Sequence, residues 1–415
     1  MMDRLWLRRC LVCLIGVALA WLIVTRSFPA YLAQIAPETA LWINANQPDA
    51  LLRLAEQKLE AAPASGNDRD ADVRALIMRA RSLDPLNPQV PYLLATLAER
   101  AGDRTQAISQ LGATLQQSLH ESAAIYKLML YSVETHDYVK ATTCAELLLR
   151  TRPDAFPVVL PTLIKLANTE AATEALTAML GRNPYGRTWF FMELPPKVKD
   201  LRIPQVLLLG LRNTPNPPTS MEISQYLNQL VSQHNLHGMA YYTWLQFTPP
   251  EHFEGGNLVF NGQFQRPTTG LLFDWVISAG SSVTAQIVAK PDAQGQHGLN
   301  LEFGSGRVEF GGVAQTMVLA PGTYRFSTEV KGSLIGRRGL VWRMTCDQPG
   351  PPIMETPAQL GIQPAWKDIA LTLTVPDTGC RGQQLALVHT ARSASEQLLS
   401  GSVWYRSVRI TRKFD

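Results

Sequence analysis

The 415-residue chain is poor in charge and in cysteine. Only 17% of its residues are charged, against about a quarter in an ordinary soluble domain. Its 38 basic and 34 acidic residues leave a net +4 at pH 7. Spread over this length, that is no electrostatic footprint for nucleic acid, and such a partner is not expected. Five cysteines are too few for a scaffold built on disulfides. With 28 glycines and 28 prolines the chain is neither collagenous nor of low complexity. Nucleophile and phosphate motifs are missing too: there is no GxSxG, no HExxH, no GxxxxGKS or GxxxxGKT, and no cysteine beside an evident histidine. What the chain does have is 46% hydrophobic residues, enough to bury the cores of the roughly two or three domains its length predicts.

The first of its apolar stretches, CLVCLIGVALAWLIV from Cys10 to Val24, follows Arg4, Arg8 and Arg9, the layout of a signal sequence or a membrane anchor. The arginines hold the N-terminus in the cytoplasm. The run is shorter than the roughly 20 residues that span a bilayer comfortably, but Leu5 to Leu7 and snorkelling of Arg8 and Arg9 extend its reach. Its A-x-A, Ala18-Leu19-Ala20, lies inside the run and is followed by Trp21, which favours an uncleaved transmembrane helix within residues 1–28 over a cleavable signal. Cys10 and Cys13 sit too early for a lipoprotein site and read as small apolar residues in lipid.

Self-similarity appears next. The segments DPLNPQVPYLLATLAERAGDRTQAISQLGATL and ESAAIYKLMLYSVETHDYVKATTCAELLLRTRPD each read as an amphipathic helix pair broken by a short polar turn. Ala107, Ala141 and Ala175 are spaced by 34 residues, and Pro85 and Pro153 by 68, twice that period. Small residues at these positions let one helix cross the next closely, and the proline stops the second helix. On these residues the chain resembles the tetratricopeptide repeat: Leu94, Ala95, Ala98, Gly102, Ala107 and Leu111 match its packing positions, as do Ile125, Leu128, Ala141, Ala145, Leu148 and Pro153 in the next copy. A preceding copy keeps mainly Ile77, Ala80 and Pro85; a following one, through Ala175 and Met179, departs from the pattern with Pro157 and Pro161. The expected organisation is a helical solenoid over 37–187 and a proline-rich connector with two capping helices over 188–250. His234 and His237 are expected three apart on one helix, a spacing that could hold a metal, but no nearby Cys or carboxylate supplies a third ligand and no metal is expected. Cys144 reads as a core residue.

After Gly255-Gly256 the period changes from 3.6 to 2. Runs such as GLNLEFG, VEFGGVAQTMVL, GTYRFSTEVKG, LVWRMTC, DIALTLTVP, QQLALVHTA and SVWYRSVRIT, with NLVFNGQF, FDWVIS and SVTAQIVAK, make about ten strands, as in an all-β jelly-roll sandwich over 255–415. The fold expected for the whole is therefore an all-α solenoid followed by an all-β sandwich. NLVFNGQFQ, FDW at 273–275, LAPGTYRFSTEVKG and SVWYRSVRIT, in that order, resemble the carbohydrate-binding modules related to galactose-binding-like domains. The structural calcium frequent in that family uses acidic residues where this chain has Gln265 and Arg406, which argues against it, although Asp274 remains close in sequence. No cofactor is expected. Cys346 and Cys380 fall where neighbouring strand ends of a sandwich would let them oxidise in the periplasm, closing a loop worth roughly 3–4 kcal/mol.

Sugar rings stack on aromatics flanked by polar side chains. Trp275, Trp342, Trp366, Tyr324, Trp404 and Tyr405 are the aromatic candidates, each also readable as core; Tyr324 alternates with Phe326, and Trp404 lies in an apolar strand. Trp275, Trp342, Arg343, Trp366 and Tyr405 form the expected contact set. Glycosidase chemistry needs two facing carboxylates, and the acids here are scattered singly; Glu302 and Glu309 are the pair a hairpin might unite, and no catalytic residue is assigned. Together, anchor, repeats and sandwich resemble the envelope proteins of bacterial exopolysaccharide clusters. That resemblance implies a non-enzymatic inner-membrane protein with its bulk in the periplasm, whose repeats hold a partner of the polysaccharide machinery and whose sandwich contacts polymer. A purely protein-binding assembly factor and a glycan-modifying enzyme are the alternatives.

Overall fold

The structure, a computed structural model, describes residues 14–17, 21, 28–61, 67–289 and 297–413. Among them no helix is long and apolar enough to cross a membrane. The expected anchor, Cys10 to Val24, lies outside them except for Leu14 to Val17 and Trp21. The chain divides into two compact units between Gly186 and Arg187.

The first unit is helical: α1 (Phe28–Ile35), α2 (Pro37–Ile43), α3 (Pro48–Glu60), α4 (Asn67–Leu83), α5 (Gln89–Arg100), α6 (Arg104–Gln117), α7 (Ser122–Glu134), α8 (Tyr138–Thr151), α9 (Phe156–Ala167) and α10 (Thr173–Leu180). Packing is by successive pairs, α3 on α4, α5 on α6 and α7 on α8. The turns inside the last two pairs repeat atom for atom. Gly102 and His136 take left-handed φ of +74° and +60°. The N–H groups of Asp103 and Asp137 bond back to Ala98 and Ser132 at 2.9 and 2.8 Å. The same two aspartates then cap α6 and α8, accepting from the N–H groups of Gln106 and Lys140 at 2.9 and 3.1 Å. Such caps are worth about 1 kcal/mol each. Ala95, Ala98, Ala107, Leu111, Ala141 and Ala145 are fully buried and Leu94 nearly so. Further on, the pattern changes: α9 carries Pro161 inside it, α10 has eight residues, and Ala175 is half-buried while Ala172 and Leu176 fill the core. Pro153 is exposed and opens a 3-10 turn, Pro153–Ala155.

The second unit begins with α11 (Arg187–Glu193), α12 (Arg202–Leu211), α13 (Ser220–Ser232) and α14 (His237–Phe247). Thr219 and Glu222 form a reciprocal capping box on α13. Glu222 also receives Arg187 Nε and Nη2 at 2.9 and 2.7 Å, deep in the interior. Burial by itself would raise the Glu222 carboxyl; the Arg187 guanidinium and the Thr219 N–H overcome it and hold the group below the usual carboxylate range. The other guanidinium protons go to the carbonyls of Asn216 and Pro217. On α14, Trp244 packs edge-on against Phe253 and Phe260, with Tyr241 against Phe273, so the helices share a core with the chain that follows. His234 and His237, expected on one helix, are separated by a turn in which Asn235 takes φ +54°; His234 is exposed and His237 is buried against Gly382.

Ten strands follow: β1 (Val276–Ser281), β2 (Val283–Ala289), β3 (His297–Phe303), β4 (Glu309–Met317), β5 (Gly322–Gly336), β6 (Leu340–Cys346), β7 (Met354–Glu355), β8 (Gly361–Val375), β9 (Gln383–His389) and β10 (Leu399–Arg412). They form two five-stranded antiparallel sheets, β1-β4-β9-β6-β7 and β2-β3-β10-β5-β8. The inward faces meet in one core containing Trp275, Trp342, Phe326 and Tyr405. Alternation sets the faces: Tyr324, Phe326, Thr328 and Val330 of β5 point in, as do Val403 and Tyr405 of β10. A bulge between Arg406 and Arg409 shifts the β5–β10 register by one residue. Cys346 and Cys380 are joined by a disulfide, their Cα atoms 4.8 Å apart.

NLVFNGQF, expected as the opening strand, is not one. Asn261 and Phe264 take φ of +50° and +56°, and a Cβ on Gly262 would come within 2.1 Å of the Val408 carbonyl oxygen. The segment is instead laced to the sandwich by Leu258 N–H to Ile410 O, Val408 N–H to Gly262 O, and the Gln315 amide bridging both backbone groups of Phe260.

Candidate functional site

The outer face of the second sheet gathers the polar and aromatic side chains that the core does not use. Trp404 stands near its middle. Its neighbours Val403 and Tyr405 face the core, so the pleat turns the indole outward, where it is half-buried. Across the ladder it pairs with Asn300 of β3 on one side and Lys331 of β5 on the other, and Asn300 in turn pairs with Gln286 of β2. One row over lie Thr284, Glu302, Ser402 and Ser333. Asn300 Nδ2 donates to Glu302 Oε1 at 3.0 Å, which fixes that amide.

Trp366 closes the face at the β8 edge, beside the register shift between Val330 and Gly332. Arg406 stacks over its ring at 4.1 Å and Lys331 lies 5.9 Å from the centroid. Arg406 Nε also donates to Glu329 Oε2 at 2.8 Å, which orients the guanidinium along the sheet. The face thus offers two half-buried indoles with Lys331 of β5 between them, the exposed Gln286 and the buried Asn300 amide on the far side of Trp404, and cations held over the Trp366 ring. Chemically, it can accept apolar ring faces and satisfy hydroxyl groups around them.

The expected contact set is only partly gathered here. Trp366 belongs to it. Trp275, Trp342 and Tyr405 do not: each is at most 1% exposed, and the three pack in the core, Trp342 at 5.7 Å from both of the other rings. A ring in contact with core atoms on both sides has no face left for a ligand. Burial likewise pushes the Tyr405 phenol up in pKa. Arg343 stands on the other sheet, ion-paired with Glu355 at 2.7 Å. Tyr324 is buried and donates to the Ala320 carbonyl. Glu302 and Glu309 lie in different sheets. Trp404 was legible as a surface residue from alternation, since Val403 and Tyr405 must share the opposite face. Asn300 and Gln286 carried no sequence signal of their own.

The residues at the position where the sequence resemblance places calcium do not suit a hard cation. Gln265 is exposed and donates to the Gln263 carbonyl, and Arg406 is itself a cation. Asn257 uses its carbonyl oxygen on the Val259 and Ile410 N–H groups and its amide on Glu254 and Val408. The buried Asp274 carboxylate accepts from Thr269 N–H and Oγ1 and from Trp275 N–H; burial pushes it up while these bonds pull it down. Among the described residues no group of three or more His, Cys, Asp or Glu side chains is placed to hold a metal ion.

In the helical unit, a polar cluster joins the first helices of successive pairs. Glu99 of α5 takes Lys127 Nζ at 2.6 Å and Tyr131 Oη at 2.9 Å, both from α7. Burial and the Glu99 carboxylate push the Tyr131 phenol up to about 12. Lys127 reaches over Tyr92 and Arg104 over Tyr131, and Arg104 also pairs with Glu134.

No protein-family model matches the chain, and no curated protein does. Among solved structures it is similar to a CBM4 module (14% identity, 37% of this chain and 99% of that one, TM-score 0.28). It is similar also to TmCBM61 solved with β-1,4-galactotriose (18%, 38% and 99%, 0.27). A third is the CBM22-1 xylan-binding domain of Paenibacillus barcinonensis Xyn10C (16%, 36% and 91%, 0.26).

Proposed function

We propose that this protein is a non-enzymatic, membrane-anchored periplasmic scaffold of exopolysaccharide biosynthesis or export. Its β-sandwich contacts the polysaccharide and its tetratricopeptide-like repeats hold a partner protein of the same machinery. The observation that carries the glycan half is Trp404, half-buried on the outer sheet face between the buried Asn300 and Lys331, with Trp366 at the edge. Indole faces take the C–H side of a pyranose, and the amides and hydroxyls of the same face take its hydroxyl groups. The partner half rests on the repeated turns at Gly102 and His136 and on the packed alanines that fix one helix pair on the next.

The test uses the full chain in detergent, titrated with purified bacterial exopolysaccharides and followed by tryptophan fluorescence and calorimetry. Trp404→Ala is expected to weaken binding of the polymer while far-UV circular dichroism stays unchanged. Absence of binding to every polymer by the folded chain would leave the protein-assembly role alone, and pull-down on the repeats would then be the measurement that matters.

A further inference from the structure

The same sheet face continues past Trp404 into a second zone with different chemistry. Along β5 the outward residues after Lys331 are Glu329, Ser327 and Arg325; along β10 they are Arg406, Arg409 and Thr411. Arg409 pairs with Ser327 and Arg325 with Thr411, which makes the two arginines diagonal neighbours on one face. At such positions Cβ atoms stand roughly 7–8 Å apart, within reach for two long side chains to meet over one ligand group.

Both arginines are exposed, and neither side chain makes a hydrogen bond or ion pair among the described residues. Directly across the ladder on β8 the residues are uncharged: Thr372 lies opposite Arg325 and Ala370 opposite Ser327. Of the acids on the face, the nearest is Glu329, one diagonal step from Arg409. Glu329 is engaged by Arg406, Glu302 by Asn300, and Asp368 faces Glu329 across the ladder. Two uncompensated guanidinium groups beside one another repel, and an anion relieves that repulsion; planar forks suit carboxylates in particular.

Resting on the glycan reading above, we propose that the polymer is acidic: a carboxylate-bearing glycan runs along β5 and β10, with a sugar ring on Trp404 and a uronate carboxylate between Arg325 and Arg409. Six residues of strand separate Lys331 from Arg325, roughly 20 Å, so the two zones require an extended chain and not a single sugar. Neutral polymers would use the aromatic zone only.

The experiment compares polygalacturonate, alginate and hyaluronan with their neutral methyl esters, and with dextran sulfate, against the full chain and two variants. The wild type is expected to bind at least one acidic polymer about tenfold to a hundredfold more tightly than its ester, as bonds to charged groups require. The double variant Arg325→Ser, Arg409→Ser should lose that difference and keep the ester's affinity. Trp404→Ala should weaken acid and ester alike. Equal affinity for acid and ester, an unaffected arginine variant, or dextran sulfate bound as tightly as the carboxylate polymer would overturn the acidic-glycan assignment and leave the glycan reading standing. No binding of any polymer would overturn both.

Discussion

Gly102 and His136, 34 residues apart, hold the same left-handed backbone at the same point of the same turn. Glycine takes that conformation freely, whereas a side-chain-bearing residue is strained there by roughly 1 kcal/mol. His136→Gly is expected to stabilise the helical unit by about that amount, and Gly102→Ala to destabilise it similarly, although open space surrounds the Gly102 Cβ position. Urea unfolding followed by circular dichroism measures both. If both substitutions prove neutral, the two turns do not share their backbone.

The Arg187–Glu222 pair gives a second expectation. Removing one partner strands a charge in the interior, so Arg187→Met should cost about 3–5 kcal/mol, and Arg187→Met with Glu222→Leu should restore most of it. The pH dependence has a definite sign. Because the Glu222 carboxyl lies below its unfolded value of 4.5, the stability it contributes is complete above that pH and is lost as pH falls through the depressed value. Unfolding midpoints from pH 7 to 3 should therefore drop in the wild type and drop less in the double variant.

Period and alternation explain why so much of the architecture could be read in advance. The 34-residue spacing of Ala107 and Ala141 placed both helix pairs, and period-2 runs located nearly all the strands, because those residues must bury one face. Failures came where tertiary bonds overrule local pattern. NLVFNGQF alternates like a strand but is bent by left-handed Asn261 and Phe264; β7 has two residues, too few for a signal; and His234 and His237 share helical spacing across a turn. The sheet face was obscured for another reason. Composition cannot separate a buried tryptophan from a displayed one: Trp342 and Trp404 face opposite ways by the pleat of their strands, while Trp275 precedes β1 and is buried by packing against Phe264 and Trp342.

Reducing the Cys346–Cys380 bridge releases a loop whose ends are 34 residues apart. Between the loops of 15 and 100 residues for which the chain-entropy relation gives about 3 and 4.7 kcal/mol, a loss of about 3–4 kcal/mol is expected. Denaturant midpoints with and without dithiothreitol, and for Cys346→Ser with Cys380→Ser, should agree with one another and fall below the oxidised protein.

Cys144 should be silent. It is buried in α8, and burial pushes its thiol up to about 11 despite the nearby Lys140. A thiol reagent at pH 8 should label it only as fast as the helices open, and labelling should accelerate in parallel with urea-induced unfolding. Rapid stoichiometric reaction in the native protein would show that the α7–α8 packing is open.

The bulge at Ser407 settles how tolerant the last strand is of gain or loss of a codon. Arg406 and Arg409 share the outer face only because one residue between them is left out of the ladder; Val408 and Ile410 are inside for the same reason. Delete Ser407 and Arg406 and Arg409 stand two apart, so plain alternation keeps Arg409 outside and Val408 and Ile410 inside; add one residue instead, with the bulge kept, and every later residue of β10 exchanges sides. A gain of one residue here would therefore be purged far more strictly than loss of the bulged one, so related chains should differ at this point by a missing residue and not by an added one.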